Sequence, residues 1–326
     1  MLCLPRKKSN RIPVCEALLR RAVLNREEES RIREQLWRMV RGLDGEQRAD
    51  RFWEELNFES EYMLLHNYET IGRIGYTHQM DTLFICPRFV LVLELKHIAG
   101  EIMYDAARHQ LLRSYNGEVQ ALGDPFSQVS RHEEWVEHFL WEIGVRGLPV
   151  VSAVVVTTTS SVLKAMPEQF HVFKLEGLRF KLQQWYERYP VVVNTGVMGH
   201  IRDELLRRHT PLKWMPPIEN LQLRRGVLCE CGLRMDYAGY GLFICKCGER
   251  IRDGFVRGLE DYRLLVDEWI TNKEFRDFFE IENVHAVSKI LKRLGLEYSG
   301  DTKARRYRIP EDILDYRPYT RGVKET

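Results

Sequence analysis

The sequence predicts an α/β protein in which helices flank a mixed sheet, followed by a small cysteine-rich segment and an α+β C-terminal part. Three observations predict this architecture. Helical and strand patterns alternate between residues 41 and 160, four of the seven cysteines lie within residues 229–247, and two helical patterns precede a hairpin pattern after residue 261. A chain of 326 residues is about twice the length of a typical domain.

The composition is that of an ordinary globular protein, with 44% apolar and 29% charged residues. The net charge of +2 predicts no partner, because acidic and basic residues nearly cancel. No apolar run is long enough for a membrane span, and the basic residues 1–10 are followed by no apolar stretch. The sequence therefore predicts a cytoplasmic protein.

Changes of pattern along the chain predict five segments. Residues 16–40 lack proline and glycine and predict one long amphipathic helix, which Gly42 and Gly45 are expected to interrupt before a second helix. The predicted segments are an N-terminal helical extension (1–40), an α/β core (41–160), a helical extension and linker (161–225), a cysteine ribbon (226–252) and a helical C-terminal domain with a hairpin (253–326).

Within the α/β core, the strands are predicted from apolar and β-branched runs and the helices from apolar spacing and capping residues. Asp124-Pro125 is the pattern of a helix start. The predicted strands are 61–68, 82–86, 89–96, 101–104 and 150–157, and further helices are predicted near 181–189 and 198–208.

A charged pair ends the clearest strand. The period of two places Glu94 and Lys96 on one face and the leucines between residues 91 and 95 on the other. Asp81 precedes the neighbouring strand and offers a second carboxylate. Two carboxylates without thiolates suit a hard cation such as Mg²⁺, and a lysine beside them suits phosphodiester hydrolysis. The alternative is a solvent-facing ion pair on a half-exposed strand.

The order of residues around this pair resembles the nuclease-related domain (NERD), a branch of the PD-(D/E)XK nuclease superfamily. The resemblance covers roughly residues 42–156. Its carriers are Gly45-Glu46, Gln79-Met80-Asp81, Glu94-Leu95-Lys96, Gly100-Glu101-Ile102 and Asp124-Pro125 with Gln128.

The resemblance implies a restriction-endonuclease-like core and a metal-dependent nuclease. It implies that Asp81 and Glu94 bind Mg²⁺ or Mn²⁺, that Lys96 is catalytic, that Glu46 is a helix carboxylate near the metal, and that Gln128 supports the site. A glutamate in the first turn of a helix can also serve the helix dipole alone. His132, one turn after Gln128, is expected to be a satisfied or exposed histidine.

Two short cysteine pairs predict a structural zinc site. Cys229-Glu-Cys231-Gly and Cys245-Lys-Cys247-Gly repeat one pattern, and four thiolates close a tetrahedral Zn²⁺ site that has no open position for catalysis. Each cysteine pair has one residue between its two ligands instead of the usual two. The turns that carry the pairs, called knuckles here, are therefore expected to be tight. The alternatives are a pair of disulfides and chance clustering.

The C-terminal pattern is similar to a winged helix-turn-helix. Helical patterns run from 261 to 270, 272 to 279 and 284 to 294, and a hairpin is expected around residues 300–305. Residues 286–308 contain seven basic and two acidic residues. The predicted nucleic-acid contacts are Lys289, Lys292, Arg293, Lys303, Arg305 and Arg306.

These features favour a Mg²⁺-dependent DNA nuclease that its C-terminal modules target to DNA, with RNA as another possible substrate. The alternatives are a nucleic-acid-binding or regulatory protein whose nuclease fold is idle, and a C-terminal part that docks on proteins.

Overall fold

The computed structural model of the protein describes residues 2–6, 11–56, 58, 60–72, 75–212, 214–216, 218, 220–239, 241–301 and 304–315. The chain forms two compact units. The first unit comprises Met1–Lys8 and Arg38–Lys213, and the second comprises Ser9–Trp37 and Trp214–Thr326. In the part of the chain that the structure describes, no helix combines the length and apolar character that a bilayer span requires.

Eight α-helices and sixteen short or medium strands are described. The helices are α1 (Arg11–Arg21), α2 (Arg26–Glu54), α3 (Pro125–Glu142), α4 (Leu178–Arg188), α5 (Thr195–Arg208), α6 (Phe255–Leu265), α7 (Asn272–Phe279) and α8 (Val284–Leu294). The strands are β1 (Leu2–Leu4), β2 (Met63–Ile71), β3 (Thr77–Ile85), β4 (Val90–Lys96), β5 (Gly100–Asp105), β6 (Gln110–Tyr115), β7 (Glu118–Leu122), β8 (Val150–Val156), β9 (Ser161–Leu163), β10 (His171–Lys174), β11 (Asp236–Gly239), β12 (Leu242–Ile244), β13 (Arg250–Arg252), β14 (Trp269–Thr271), β15 (Tyr298–Ser299) and β16 (Arg306–Arg308).

The first unit is built around a mixed six-stranded sheet in the order β1-β2-β3-β4-β8-β10. Strand β3 is antiparallel to β2 and β4, whereas β1 is parallel to β2, and β4, β8 and β10 are parallel to one another. Helices α3 and α5 pack on one face of the sheet, and α2 and α4 pack on the other. This arrangement confirms the predicted α/β core with helices on both sides of a mixed sheet.

A smaller sheet in the order β7-β6-β5-β9 extends the first unit. Strands β5, β6 and β7 form a meander, and β9 pairs with β5 in parallel. The side chain of Asp124 caps α3 by accepting a hydrogen bond from the Phe126 backbone N–H at 2.9 Å. The helix start predicted at Asp124-Pro125 is confirmed.

The prediction for the N-terminal helices is wrong at their boundary. The chain breaks between α1 and α2, and α2 then runs without interruption through Gly42 and Gly45. The break has a local cause, because Asn25 and Glu28 form a reciprocal cap: the Glu28 N–H donates to the Asn25 side chain, and the Asn25 N–H donates to the Glu28 carboxylate, both at 2.9 Å.

The second unit has one apolar core that joins the cysteine segment to the C-terminal helices. Phe243 and Cys245 of the cysteine segment share this core with Phe255, Phe275 and Leu291. Helix α1 contributes Arg21, whose buried guanidinium donates to the buried carboxylate of Asp261 at 2.8 Å. The cysteine segment itself folds as a three-stranded sheet in the order β11-β12-β13.

The C-terminal elements follow the order α6, β14, α7, α8, β15, β16, with a sheet in the order β14-β16-β15. Thr271 and Glu274 form a capping box that starts α7, Asn283 caps α8, and Gly295 ends α8 with a φ of 65°. These two helices and the pairing of β15 with β16 are as predicted. The first helix starts earlier than predicted and ends at Leu265, because residues 269–271 pair with β16 as a strand.

Candidate active site

Strand β4 carries the charged pair at the end of an apolar strand. Leu93 and Leu95 face the core that contains α2 and α4, whereas Val92 faces the core that contains α3. Glu94 lies on the same side of the strand as Val92 and is only 3% exposed. The predicted alternation is therefore present, but the Glu94 carboxyl is buried within the protein rather than exposed to solvent.

Asp81 lies where the pairing between β3 and β4 ends. The last register pair of these strands is Thr82 with Leu93. Beyond it, the Asp81 carboxylate accepts a hydrogen bond from the Leu95 backbone N–H at 2.7 Å. This bond fixes the carboxylate beside Glu94 and Lys96.

Lys96 connects the strand to helix α3. Its ammonium donates to Glu94 Oε1 at 2.6 Å and lies 3.4 Å from Oε1 of Gln128. The structure thus brings Glu94, Lys96 and Gln128 together, as the sequence comparison with the NERD pattern implied.

One carboxylate oxygen of the site has no hydrogen-bond partner among the described residues. Glu94 Oε2 is buried, and among the described residues no donor lies within hydrogen-bond distance of it. A buried carboxylate oxygen without a partner is costly unless it binds a proton or a cation.

Helix α2 brings Glu46 to the same region. Gly45 allows this approach, because a Cβ at that position would lie 2.5 Å from Thr157 Oγ1 and 2.7 Å from His97 Cβ. Glu46 accepts a hydrogen bond from Arg6 Nη1 at 2.7 Å.

The three carboxyl groups of the site influence each other electrostatically. Burial and the nearby Asp81 raise the pKa of Glu46 to about 7 and that of Glu94 to about 8. Burial also raises the pKa of Asp81, which Lys96 opposes. Burial alone would lower the pKa of Lys96, but the carboxylates of Glu94 and Asp81 outweigh it and raise the pKa. The ammonium of Lys96 is therefore charged at neutral pH.

These residues fit a divalent cation. The site holds the carboxylates of Glu46, Asp81 and Glu94, and the positive charges of Lys96 and Arg6 oppose the rise of their pKa values. Mg²⁺ is usually held by one or two carboxylates and keeps several water ligands. Within the described part of the chain, the carboxylates do not converge as tightly as the cysteine thiols described below.

The sequence interpretation missed Arg6 and its surroundings. The Arg6 guanidinium contacts Glu46, Asp50 and Asn67. Asn67 has a φ of 47° in the middle of β2, an uncommon backbone conformation for a residue other than glycine. No local motif in the sequence marks these contacts, because Arg6 lies 40 positions before Glu46 and 61 before Asn67.

A pair of histidines lies beside the site. His132 on α3 is buried, and its Nδ1 is 3.2 Å from Nδ1 of His78 on β3. Burial, His78 and Arg131 lower the pKa of His132 to about 4, so its imidazole is neutral at neutral pH. Its Nε2 is buried without a partner among the described residues. The satisfied or exposed histidine expected from the sequence is therefore a half-satisfied, buried one.

The four cysteines of the ribbon meet as predicted. Their Sγ atoms all lie within 4.8 Å of one another. The Sγ distances are 3.6 Å between Cys229 and Cys247 and 3.5 Å between Cys231 and Cys245. Four sulfurs at about 2.3 Å from a tetrahedral centre are about 3.8 Å apart, so the cluster can hold a metal ion such as zinc. Gly232 and Gly248 have φ values of 84° and 97°, which the tight knuckles require.

Most of the predicted nucleic-acid contacts lie on one helix and one hairpin of the second unit. Lys289, Lys292 and Arg293 are exposed on α8, and Arg306 is exposed on β16. Arg293 also pairs with Asp253 at 3.2 Å. Arg305 is half-buried, with its guanidinium 4.2 Å from the ring centroid of Tyr298. Lys303 lies outside the described residues.

Comparison with known families gives a match within the first unit. The family model described as the nuclease-related domain (NERD) matches residues 41–157, a range that contains Glu46, Asp81, Glu94, Lys96 and Gln128. Neither the curated proteins nor the solved structures gave a match. The α/β architecture of the first unit agrees with this match of residues 41–157 to the nuclease-related domain.

Proposed function

We propose that this protein is a Mg²⁺- or Mn²⁺-dependent nuclease that hydrolyses DNA phosphodiester bonds. The observation that supports this most is the buried Glu94 carboxyl, with one oxygen on Lys96 at 2.6 Å and the other without a partner among the described residues. An arrangement of this kind is expensive for stability alone. It is useful if the free oxygen binds a cation during catalysis.

In this proposal Asp81 and Glu94 hold the ion. The bound ion would lower the pKa of a water molecule and neutralise charge on the phosphate. The backbone N–H of Leu95 holds the Asp81 carboxylate in place at 2.7 Å. Glu46 lies close enough to Asp81 that the Asp81 charge raises the pKa of Glu46, and Glu46 would accept a hydrogen bond from a water molecule in the site.

Lys96 supplies a positive charge next to the carboxylates. Once Glu94 binds a cation, the Lys96 ammonium is free to donate to a phosphate oxygen or to orient the attacking water. Gln128 limits the positions of this ammonium through its side-chain oxygen at 3.4 Å. We assign Lys96 a catalytic role and Gln128 a supporting one.

We further propose that the second unit targets DNA. Its helices and hairpin follow the order of a winged helix, in which α8 would enter the major groove and the hairpin between β15 and β16 would contact phosphates. The four cysteines would hold a structural Zn²⁺ ion. Thiolates that stay reduced fit the cytoplasm.

Cleavage assays test the nuclease. Wild-type protein and Asp81→Ala, Glu94→Ala and Lys96→Ala are incubated with plasmid DNA, linear duplex, single-stranded DNA and RNA, in Mg²⁺, Mn²⁺ or EDTA. We expect metal-dependent cleavage of DNA by the wild type and a loss of about 100-fold or more in each variant. If the folded wild type binds DNA without cutting any substrate, the protein is an idle nuclease fold that binds nucleic acid.

Salt-dependent binding tests the second unit. We expect the Lys289→Ala and Lys292→Ala variants to weaken duplex binding and each to lower the slope of log affinity against log salt by about 1. Arg179→Ala, an exposed substitution on α4 of the first unit, is the control. Equal binding by all four proteins would favour a C-terminal part that docks on proteins instead.

A further inference from the structure

Strand β1 brings an arginine into the active site from outside the family-matched residues. Residues Leu2–Leu4 pair in parallel with β2 at the edge of the large sheet. Arg6 follows this strand, and its side chain is only 5% exposed. The family match begins at residue 41, so nothing in that match assigns a role to Arg6.

The Arg6 guanidinium is bound on both edges by one turn of helix α2. Its Nη1 donates to Glu46 Oε2 at 2.7 Å, and its Nε donates to Asp50 at 2.9 Å from Oδ2 and 3.1 Å from Oδ1. Glu46 and Asp50 are four positions apart and therefore lie on the same helical face. The planar guanidinium offers both carboxylates donors in a fixed geometry, whereas a lysine would offer a point charge on a flexible stem.

The remaining donor of Arg6 points to the sheet. Nη2 lies 3.3 Å from Nδ1 of His66 and 3.3 Å from Oγ1 of Thr82. Burial and the Arg6 charge lower the pKa of His66 to about 4, so the imidazole is neutral and can accept this hydrogen bond. Arg6 thus links helix α2 to strands β2 and β3.

Asn67 completes a triangle with Arg6 and Glu46. Its side-chain oxygen accepts from Arg6 Nη1, and its amide donates to the Glu46 carboxylate. The backbone of Asn67 adopts a φ of 47° within strand β2. Such conformations are energetically costly and concentrate at functional sites.

We propose that Arg6 is a positioning residue of the nuclease site, which holds the Glu46 carboxylate in one place beside Asp81 and Glu94. This inference rests on the proposed function for its catalytic consequence. The structural part of the inference is that Arg6 and Glu46 act as one unit, and this part does not depend on activity. The catalytic unit then includes the N-terminal strand as well as the family-matched residues.

Steady-state kinetics of full-length Arg6→Met, Glu46→Gln and the double variant test the catalytic consequence. We expect Arg6→Met to lower kcat by about 10- to 100-fold with KM within about 2-fold of the wild-type value, because a misplaced catalytic group costs rate rather than binding. Since Arg6 acts through Glu46, the double variant should be no slower than Glu46→Gln. Arg108→Met is the control, since Arg108 pairs with Asp105 on the surface of the same unit and is 74% exposed.

Thermal unfolding of the wild type, Arg6→Met, Glu46→Gln and the double variant gives a readout that needs no activity. We expect the double variant to be more stable than the sum of the two single losses predicts, because Arg6→Met alone leaves the Glu46 carboxylate without the Arg6 charge and the double variant does not, while the loss of the Asp50 pair is common to both. A kcat for Arg6→Met within 2-fold of wild type, or losses that multiply in the double variant, would overturn the proposal. If the wild type cuts nothing, the nuclease proposal fails, and the unfolding data alone decide: additive losses reject the unit of Arg6 and Glu46, and non-additive losses support it.

Discussion

At the scale of single residues, the site is a small group of buried carboxyl groups whose pKa values are raised. Burial and the neighbouring Asp81 raise the pKa of Glu94 to about 8 and that of Glu46 to about 7, against an ordinary value of 4.5. A folded-state pKa above the unfolded value contributes stability at low pH that is lost as the pH rises through the folded pKa. The site is therefore least stable under the conditions in which it would bind a metal best.

The pH dependence of stability follows from these directions. In protein freed of Mg²⁺ but not of zinc, we expect the free energy of unfolding to fall by about 1–2 kcal/mol between pH 6.5 and pH 8. Buried His66 and His132, with pKa values of about 4 against an ordinary value of 6.5, have the opposite sign, and their contribution still grows above pH 6.5 and offsets part of this fall. Urea unfolding of the wild type and of Glu94→Gln measures the effect.

The difference in unfolding free energy between the wild type and Glu94→Gln isolates the contribution of the Glu94 carboxyl. The variant should lose less stability across the window, and added Mg²⁺ should restore the wild type at pH 8 but not the variant. Parallel pH profiles for the two proteins would show that the Glu94 carboxyl titrates normally.

The sequence predicts the part of the site that lies on continuous motifs. Glu94 and Lys96 are recognisable because a charged pair interrupts an apolar strand, and Asp81 because it precedes the apolar run from Leu83 to Cys86. Arg6 and Asn67 carry no such signal, because their importance arises from a strand pairing and from a backbone angle that only the folded chain defines.

At the scale of elements, helix α2 determines where Glu46 lies. Gly42 and Gly45 look equivalent in the sequence, but their surroundings differ. A Cβ at Gly42 would meet nothing within 4 Å, whereas one at Gly45 would collide with Thr157 and His97. Gly45 is therefore a point of close contact between helix and sheet, and Gly42 is a helix position without that constraint.

Alanine substitutions at the two glycines should have opposite effects. We expect Gly45→Ala to destabilise the first unit by about 1–3 kcal/mol and to reduce cleavage, because α2 must move away from the sheet with Glu46. Gly42→Ala should stabilise it by up to about 1 kcal/mol and leave cleavage unchanged, since alanine is the better helix former. Thermal unfolding and cleavage rates of both variants provide the measurement, and similar effects at the two positions would argue against the contact.

The boundaries of elements were predicted best where a local cap defines them. Asp124, Thr271 and Gly295 are capping residues, and the helices start or end there as expected. The break before α2 follows the same rule through Asn25 and Glu28. The sequence therefore contained a local signal for this break, but the prediction relied on glycine and proline as helix breakers. Strand β14 is different, because its three residues are a strand only through pairing with β16, about 37 positions later.

At the scale of the whole molecule, the cysteine cluster belongs to the core of the second unit. Cys229 and Cys245 are buried with Phe243 and Phe255, so loss of the metal affects more than the two knuckles. Cys231 is exposed and contributes only its thiol to the cluster.

The variant Cys231→Ser should therefore lose bound zinc and destabilise the second unit while the first unit stays folded. Zinc analysis and thermal unfolding are the measurements, with Lys246→Ala as the control, since Lys246 is exposed between two of the ligands. One equivalent of zinc retained by Cys231→Ser would contradict a site of four thiolates.

We propose above that the carboxylates of Glu46, Asp81 and Glu94 in the first unit serve to cut DNA with a divalent ion. The most direct measurement is the single-turnover cleavage rate of duplex DNA at increasing Mg²⁺ concentration, for wild type and for Asp81→Asn, which preserves the size of the side chain. We expect a wild-type rate that rises with Mg²⁺ and saturates, and a rate at least about 100-fold lower for a folded Asp81→Asn. Equal rates for the two proteins, or a wild-type rate that does not depend on the metal, would contradict the account.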